Sequence, residues 1–206
     1  MNRKKIYYIT ENQDFTEKEI LETIQIACQE GIDIIQIRDK FRSDRQVLHL
    51  AKEAKEICQA HNIPLILDDR MDIALILSCG LHLGQEDIPV SLARKYLPSD
   101  AIIGATTKTL EQAKLAEKEG ASYLGVGAIY PTTTKVITHI TEVSTLNRIC
   151  ENVSIPVYAI GGLNHTNLDI LKNSPIDGIC IVSAIAKAED KVYSINKIKE
   201  SLGKIF

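Results

Sequence analysis

Several features are missing from this sequence of 206 residues, and each absence excludes a class of protein. There is no tryptophan, and the net charge of −3 gives no excess of positive charge for binding nucleic acid or an anionic membrane. No apolar run reaches the roughly 18 residues of a transmembrane helix. The N-terminus has a basic start, Met1–Ile6, but no apolar signal region follows it. We therefore expect a cytoplasmic protein.

The cysteines and histidines lack the spacing of a disulfide framework or a zinc site. None of the five cysteines belongs to a Cys-x-x-Cys pair, and most lie in stretches that resemble buried helix or strand. We expect them to be small core side chains. The five cysteines are Cys28, Cys58, Cys79, Cys150 and Cys180.

Eight short apolar runs, rich in Ile, Val and Leu, recur along the chain and predict strands that are buried on both faces. They are Ile6–Ile9, Ile32–Ile37, Pro64–Leu67, Leu81–Leu83, Ile102–Gly104, Tyr123–Val126, Val157–Ile160 and Gly178–Val182.

Amphipathic helical patterns lie between these runs, at Glu17–Glu30, Asp44–Ala60, Thr109–Gly120 and Val192–Leu202. Alternating strands and helices indicate a parallel sheet with right-handed crossovers. Eight such units in a chain of this length favour one closed (β/α)8 barrel, a TIM barrel, over an open doubly wound sheet. No linker divides the chain, so we predict a single domain over residues 1–206.

The active site of such a barrel lies at the carboxyl ends of its strands. After the second strand, alternation places Gln36, Arg38 and Lys40 on one face, where two cations and an amide suit a phosphate or pyrophosphate. The alternative is a solvated strand end with Arg38 paired to a carboxylate. Acidic residues follow the third and fourth strands, at Asp68-Asp69 and Glu86-Asp87, and beside the two cations they suit Mg²⁺ held together with substrate phosphates. The alternative for Asp69 is a cap on the following helix.

The later strand ends are also polar or glycine-rich. A threonine- and lysine-rich stretch, residues 131–135, follows the sixth strand and suits an anion, although it also fits an ordinary loop. Gly161–Gly162 and Val182–Ser183 follow the seventh and eighth strands, the usual phosphate-binding loops of this fold. Two anion sites on one rim, one of them with Mg²⁺, predict a reaction between a pyrophosphate and a monophosphate.

The order of these segments resembles the thiamine phosphate synthase family and its sister group, the thiazole tautomerases. The resemblance extends from Tyr8 to Ile185. It is carried by five motifs: Gln36-x-Arg38-x-Lys40, Asp69-Arg70, His82-Leu83-Gly84-Gln85-x-Asp87, Pro131-Thr132-x-Thr134-Lys135 and Ala159-Ile160-Gly161-Gly162.

The resemblance implies a transferase that joins hydroxymethylpyrimidine pyrophosphate to thiazole phosphate, with Mg²⁺ as cofactor. It implies that Arg38, Lys40 and Lys135 are catalytic. Asp69 and Asp87 would bind Mg²⁺. The residues implied to hold the pyrimidine pyrophosphate are Gln36, Arg38, Lys40, Asp68 and Lys135, and those for the thiazole phosphate are Thr132, Thr134, Gly162, Val182 and Ser183. Thr106 would contact the substrate.

Three positions depart from the family pattern. Asp68 stands where synthases usually have Asn, so it is either an extra Mg²⁺ ligand or a charge that weakens pyrophosphate binding. Thr106 replaces the usual Ser and keeps its hydroxyl. The stretch Val136–Thr145 lacks the residues that customarily follow the Thr-x-Thr-Lys motif, a change that concerns how a covering loop closes.

Two other functions fit the same fold. A thiazole tautomerase needs a proton acceptor two residues after Thr106, but that residue is Lys108, and a lysine is protonated near neutral pH. A non-catalytic paralogue that binds a thiamine precursor is the other alternative, motivated by Asp68 and the altered loop. The sequence does not determine the oligomeric state, since barrels of this size occur as monomers and as homodimers.

Overall fold

The computed structural model describes residues 3–131 and 140–206, and within them eight parallel strands close into a barrel in chain order. The predicted (β/α)8 barrel is confirmed. The strands are β1 Lys5–Ile9, β2 Ile34–Ile37, β3 Leu65–Asp68, β4 Gly80–Leu83, β5 Ile103–Thr107, β6 Tyr123–Gly127, β7 Val157–Ile160 and β8 Gly178–Ile181.

Helices follow the strands and cover the barrel. They are α1 Glu17–Gln29, α2 Asp44–Ala60, α3 Met71–Leu77, α4 Val90–Tyr96, α5 Leu110–Lys118, α6 Val143–Cys150, α7 Ser183–Ala186 and α8 Lys191–Ile205, with a 3₁₀ helix at Leu168–Leu171 between β7 and β8. No helix among the described residues is both long enough and apolar enough to span a bilayer.

The predicted strands and helices differ from the observed ones mainly at their ends. The last helix, predicted over Val192–Leu202, is observed over Lys191–Ile205. The fifth strand, predicted over Ile102–Gly104, is observed over Ile103–Thr107. It continues past the apolar run because its inward-facing Thr106 has a polar partner inside the barrel. The predicted helix at Asp44–Ala60 is confirmed at both ends.

Strand alternation sends side chains into two separate cores. Outward-facing residues such as Ile6 and Ile35 pack beneath the helices in one continuous apolar layer. Inward-facing residues fill the barrel itself, which explains why the strands are apolar on both faces. The inner set is Tyr7, Ile9, Ile34, Ile66, Tyr123, Tyr158 and Cys180. The cysteines are all free thiols, and all except the half-buried Cys150 are buried, as predicted.

Glycines make room for the large inner side chains on neighbouring strands. A Cβ at Gly104 would overlap the Tyr123 ring, and one at Gly178 would overlap the carbonyl oxygen of Lys5 and lie 2.9 Å from Cδ1 of Tyr158. Tyr7 packs edge-on against both rings, with centroids 5.7 Å from Tyr123 and 5.9 Å from Tyr158. Small residues opposite tyrosines therefore determine how the barrel closes.

Gly178→Ala is expected to destabilise the protein, because the new methyl group meets backbone that cannot move without disturbing the β8–β1 pairing. Overpacking of this kind costs about 1–3 kcal/mol, which lowers the melting temperature by about 2–12 °C. Thermal unfolding measures the change.

Gly203→Ala is the matched control, since a Cβ at this position in α8 has no atom within 4 Å. It should stabilise the helix by about 0.5–1 kcal/mol. Equal melting temperatures for the Gly178→Ala variant and the wild type would contradict this account of the packing.

Candidate active site

Those predicted site residues that the structure describes lie at the carboxyl end of the barrel, at or just after the ends of the strands. Gln36 is in β2, with Arg38 and Lys40 just after it, and Asp68 ends β3. Thr106 is in β5, and Gly162 and Ser183 follow β7 and β8. Three further predicted residues, Thr132, Thr134 and Lys135, lie outside the described residues.

Two cations and two carboxylates meet between the ends of β2 and β3. The Oδ2 atom of Asp68 lies 3.5 Å from both Nε of Arg38 and Nζ of Lys40, and Lys40 also pairs with Asp69. The Asp68 side chain is 10% exposed, whereas that of Lys40 is 42% exposed. The alternative of Arg38 paired to a carboxylate is therefore present in the structure, and the carboxylate is Asp68. A phosphate role for these two cations stays a prediction.

Asp69 has a backbone conformation that fits the edge of a site better than a helix cap. Its φ is 59°, a left-handed value that Asp tolerates better than most residues. Its N–H donates to the carbonyl of His82 at 2.9 Å, which ties the end of β3 to β4. Arg70, and not Asp69, holds the N-cap position of α3. The cap interpretation of Asp69 is therefore wrong.

Asp87 lies in the loop after β4. Its Oδ2 accepts a hydrogen bond from the N–H of Gly84 at 2.6 Å, and the side chain is exposed. In the same loop, Gln85 donates to the carbonyl of Thr106 at 2.6 Å, which fixes the loop to the end of β5. Among the described residues, no three His, Cys, Asp or Glu side chains cluster as a complete metal site.

The loops after β6 and β7 pack tightly on each other. Gly161 and Gly162 both have positive φ, 106° and 63°. A Cβ on Gly162 would lie 2.7 Å from Cβ of Tyr130 and 2.8 Å from the carbonyl oxygen of Pro131. This close backbone approach requires glycine at residue 162. After β8, the half-buried Val182 is the N-cap of α7 and the exposed Ser183 begins that helix.

A chain of buried hydrogen bonds crosses the barrel below the rim. Gln36 Nε2 donates to the Tyr7 hydroxyl at 2.7 Å, and this hydroxyl lies 2.7 Å from that of Tyr123. The Tyr123 hydroxyl lies 2.9 Å from Nδ1 of His82, and Nε2 of His82 lies 2.8 Å from Oγ1 of Thr106. These hydrogen bonds thus join Gln36 and Thr106, two residues that the family resemblance implies contact substrate.

Sequence reasoning missed the three middle members of this chain. His82 was quoted in a motif but given no role, and Tyr7 and Tyr123 were seen only as parts of apolar runs. The signal that could have found them is the strand period of two, because all three occupy inward positions. Polar groups at the tips of inward-facing side chains must find partners inside the barrel.

A fourth missed residue is Asp39, which fixes the loop that carries the two cations. Its side chain is fully buried and accepts hydrogen bonds from the N–H groups of Phe41 and Arg42, at 3.0 and 2.9 Å. It also accepts from the side chains of Asn12 at 2.9 Å and Arg42 at 2.7 Å. Burial alone would raise the pKa of Asp39, but these hydrogen bonds outweigh burial and lower the pKa below its ordinary value of 3.8.

The closed barrel and the charged residues at its rim define a class: (β/α)8 barrel enzymes, whose catalytic groups lie at the carboxyl ends of the strands. Comparison with known proteins then gives the family. Residues 6–185 match the model of the family described as thiamine monophosphate synthase. The chain belongs to that family.

Individual relatives agree with the family match over nearly full length. A thiamine-phosphate synthase 2 of Streptococcus pneumoniae is 45% identical over 193 residues, which is 92% of each chain. A thiamine-phosphate synthase of Enterococcus faecalis is 41% identical, over 96% of this chain and 95% of its own. Among solved structures, thiamine phosphate pyrophosphorylase from Pyrococcus furiosus superposes with a TM-score of 0.88 at 32% identity, covering 98% of this chain and 96% of that one.

Asp39→Asn is expected to destabilise the protein at neutral pH by about 1–3 kcal/mol, since an amide cannot accept all the hydrogen bonds of the carboxylate. The pKa of Asp39 is lowered in the folded state, so its contribution is present above pH 3.8 and is lost as the pH falls through the folded pKa. Urea unfolding at several pH values should therefore show the difference between wild type and variant shrinking below pH 3.8.

The exposed Asp100, in the turn after α4, provides a control of the same charge change, because Asp100→Asn should leave the free energy of unfolding nearly unaltered. A wild-type stability for Asp39→Asn at pH 7 would show that Asp39 does not fix the loop.

Proposed function

We propose that this protein is a thiamine phosphate synthase, a transferase that couples hydroxymethylpyrimidine pyrophosphate with thiazole phosphate and releases pyrophosphate. The observation that carries the proposal is the pair of cations, Arg38 and Lys40, held at the barrel rim beside Asp68 and Asp69. Family membership over residues 6–185 supports the same reaction. The substrates are small molecules, and no nucleic acid or membrane takes part.

The reaction depends more on positive charge beside the leaving group than on a base. The bond between the pyrimidine methylene carbon and the pyrophosphate oxygen breaks, and both electrons leave with the pyrophosphate. The thiazole nitrogen then donates its lone pair to the methylene cation, forming the new C–N bond. Arg38 and Lys40 stabilise the negative charge that grows on the leaving oxygens. The family resemblance adds Lys135 to these cations.

Arg38 and Lys40 have a partner that the pyrophosphate must displace. The Asp68 carboxylate lies within 3.5 Å of a nitrogen of each. Pyrophosphate carries more charge than one carboxylate and can bind both side chains at once. Asp68 therefore keeps the two cations together and competes with the substrate for them.

Magnesium fits the carboxylates of this rim. The described residues include no complete protein cage, but Mg²⁺ typically uses one or two carboxylates together with substrate phosphates. Asp69 and Asp87 would hold it, and Asp68 adjoins Asp69 as a further oxygen donor. A bound Mg²⁺ supplies positive charge to the pyrophosphate oxygens.

In this proposal the thiazole phosphate binds at the loops that follow β7 and β8. Gly161 brings the backbone close to Ala128, Gly162 brings it close to Pro131, and Ser183 starts the helix after β8. Backbone N–H groups in these two loops are suited to a monophosphate. Gly162, Val182 and Ser183 contact it in this proposal, and so do Thr132 and Thr134.

The tautomerase alternative receives no support from the residues around Thr106. Lys108 stands at the position where a proton acceptor is needed, and its backbone N–H is bound to the side chain of Gln112 at 2.8 Å. The curated relatives described above are named as synthases. A cytoplasmic location and the choice between monomer and homodimer stay predictions.

The proposal is tested by mixing the purified protein with both substrates and Mg²⁺ and assaying thiamine phosphate by fluorescence after oxidation. Product should form only with Mg²⁺. Lys40→Ala should lower kcat/KM by about 10²–10³-fold, because it removes a cation from the leaving group. Lys135→Ala should have a comparable effect.

Lys52→Ala removes the same charge from the exposed face of α2 and is the matched control, expected to keep wild-type activity. If no thiamine phosphate forms while thiazole phosphate still binds, the synthase proposal fails. A tautomerase or a non-catalytic precursor-binding paralogue would then be the better account.

A further inference from the structure

In each hydrogen bond of the chain across the barrel, one of the two groups can be identified as the donor. Gln36 donates to Tyr7 through Nε2, so the Tyr7 hydroxyl is an acceptor on that side. Its proton must then go to Tyr123, because a buried hydroxyl proton without an acceptor is destabilising. Burial raises the pKa of both tyrosines, so both hydroxyls keep their protons at neutral pH. Tyr123 consequently donates its own proton to Nδ1 of His82.

This direction fixes the state of His82 and Thr106. Since Nδ1 of His82 accepts a proton, the imidazole is neutral and carries its hydrogen on Nε2. Nε2 therefore donates to Oγ1 of Thr106 at 2.8 Å. The Thr106 hydroxyl, as an acceptor from His82, has its own proton to donate to another group. If the Gln36 amide were flipped, its oxygen would accept from Tyr7, and donor and acceptor would be exchanged in every hydrogen bond as far as Thr106. The orientation of the Gln36 amide therefore determines whether Thr106 accepts from His82 or donates to it.

We propose that Tyr7, Tyr123 and His82 are positioning residues that set this direction, so that the substrate meets a carbonyl acceptor at Gln36 and a hydroxyl donor at Thr106. The inference rests on the proposed synthase function. Gln36 is closely enclosed, at 2% exposure, and the proposal places substrate contact with its amide at the step in which pyrophosphate displaces Asp68 from Arg38 and Lys40.

The direction matters because of the charge that develops in the reaction. As pyrophosphate leaves, positive charge spreads over the pyrimidine ring to its exocyclic amine, whose protons become stronger hydrogen-bond donors. The carbonyl oxygen of Gln36 stabilises this amine more in the transition state than in the ground state. The reversed chain would turn the amide NH₂ of Gln36 toward the growing cation and would oppose the reaction.

The direction can be measured by ¹⁵N NMR of the histidine rings in the full-length protein. His82 should be neutral at pH 7, with a protonated Nε2 and an unprotonated, hydrogen-bonded Nδ1. Its signals are assigned by their loss in His82→Gln. Tyr123→Phe removes the proton donated to Nδ1 and should shift the Nδ1 signal, whereas Tyr158→Phe, a change in a neighbouring ring that is not a link of the chain, should leave it in place.

The effect on catalysis is measured with the same variants. Tyr123→Phe should lower kcat about tenfold while KM for the pyrimidine pyrophosphate changes less than about threefold. The variant no longer fixes the orientation of the Gln36 amide, which stabilises charge that develops only in the transition state. Tyr158→Phe should keep both constants within about twofold. His82→Gln, which can still accept from Tyr123 and donate to Thr106, should retain more activity than His82→Leu. Melting curves identify any variant that fails to fold.

The proposal is overturned if His82 carries its proton on Nδ1 or is charged at pH 7. It is also overturned if Tyr123→Phe shifts the Nδ1 signal but keeps the wild-type kcat. Should the wild-type protein form no thiamine phosphate, the synthase function fails instead, and the NMR result still decides the direction of the chain.

Discussion

Closure of the barrel around its buried tyrosines is the constraint on which the rest of the structure depends. Tyr7, Tyr123 and Tyr158 meet edge-on inside the ring of strands, and glycines such as Gly104 and Gly178 give them the space. Because these rings are packed against backbone, the strands cannot shift register without a clash. The carboxyl ends of β2 and β3 are thereby brought together, and with them the charged side chains that the sequence places just beyond the strands.

Above this rigid layer, the rim is held by ion pairs and loop hydrogen bonds. Asp39 fixes the loop after β2 from inside, while Arg38 and Lys40, on either side of it in the sequence, meet Asp68. Strand-like alternation thus separates a structural carboxylate from the two cations that we propose bind pyrophosphate. Asp68 then has two effects in our account, since it keeps the cations together and must release them to the substrate.

The sequence was sufficient to predict the architecture and the location of the site, but not the contacts within it. Eight apolar runs identified the strands, and the polar residues after them identified the rim, because in a parallel barrel every strand ends on the same side. The role of Asp39 could not be predicted, since its partners Asn12 and Phe41 lie in loops without regular periodicity. The links between Tyr123, His82 and Thr106 depend on the register between strands, which no local pattern specifies.

The claim that Arg38 and Lys40 bind pyrophosphate in competition with Asp68 is tested most directly by calorimetry with inorganic pyrophosphate in the absence of Mg²⁺. Asp68→Asn should bind it on the order of tenfold more tightly than the wild type, because a competing carboxylate is lost and both cations remain. Asp72→Asn, in which the exposed carboxylate beside Arg70 is changed, should bind as the wild type does. Unchanged or weaker binding by Asp68→Asn would contradict the account.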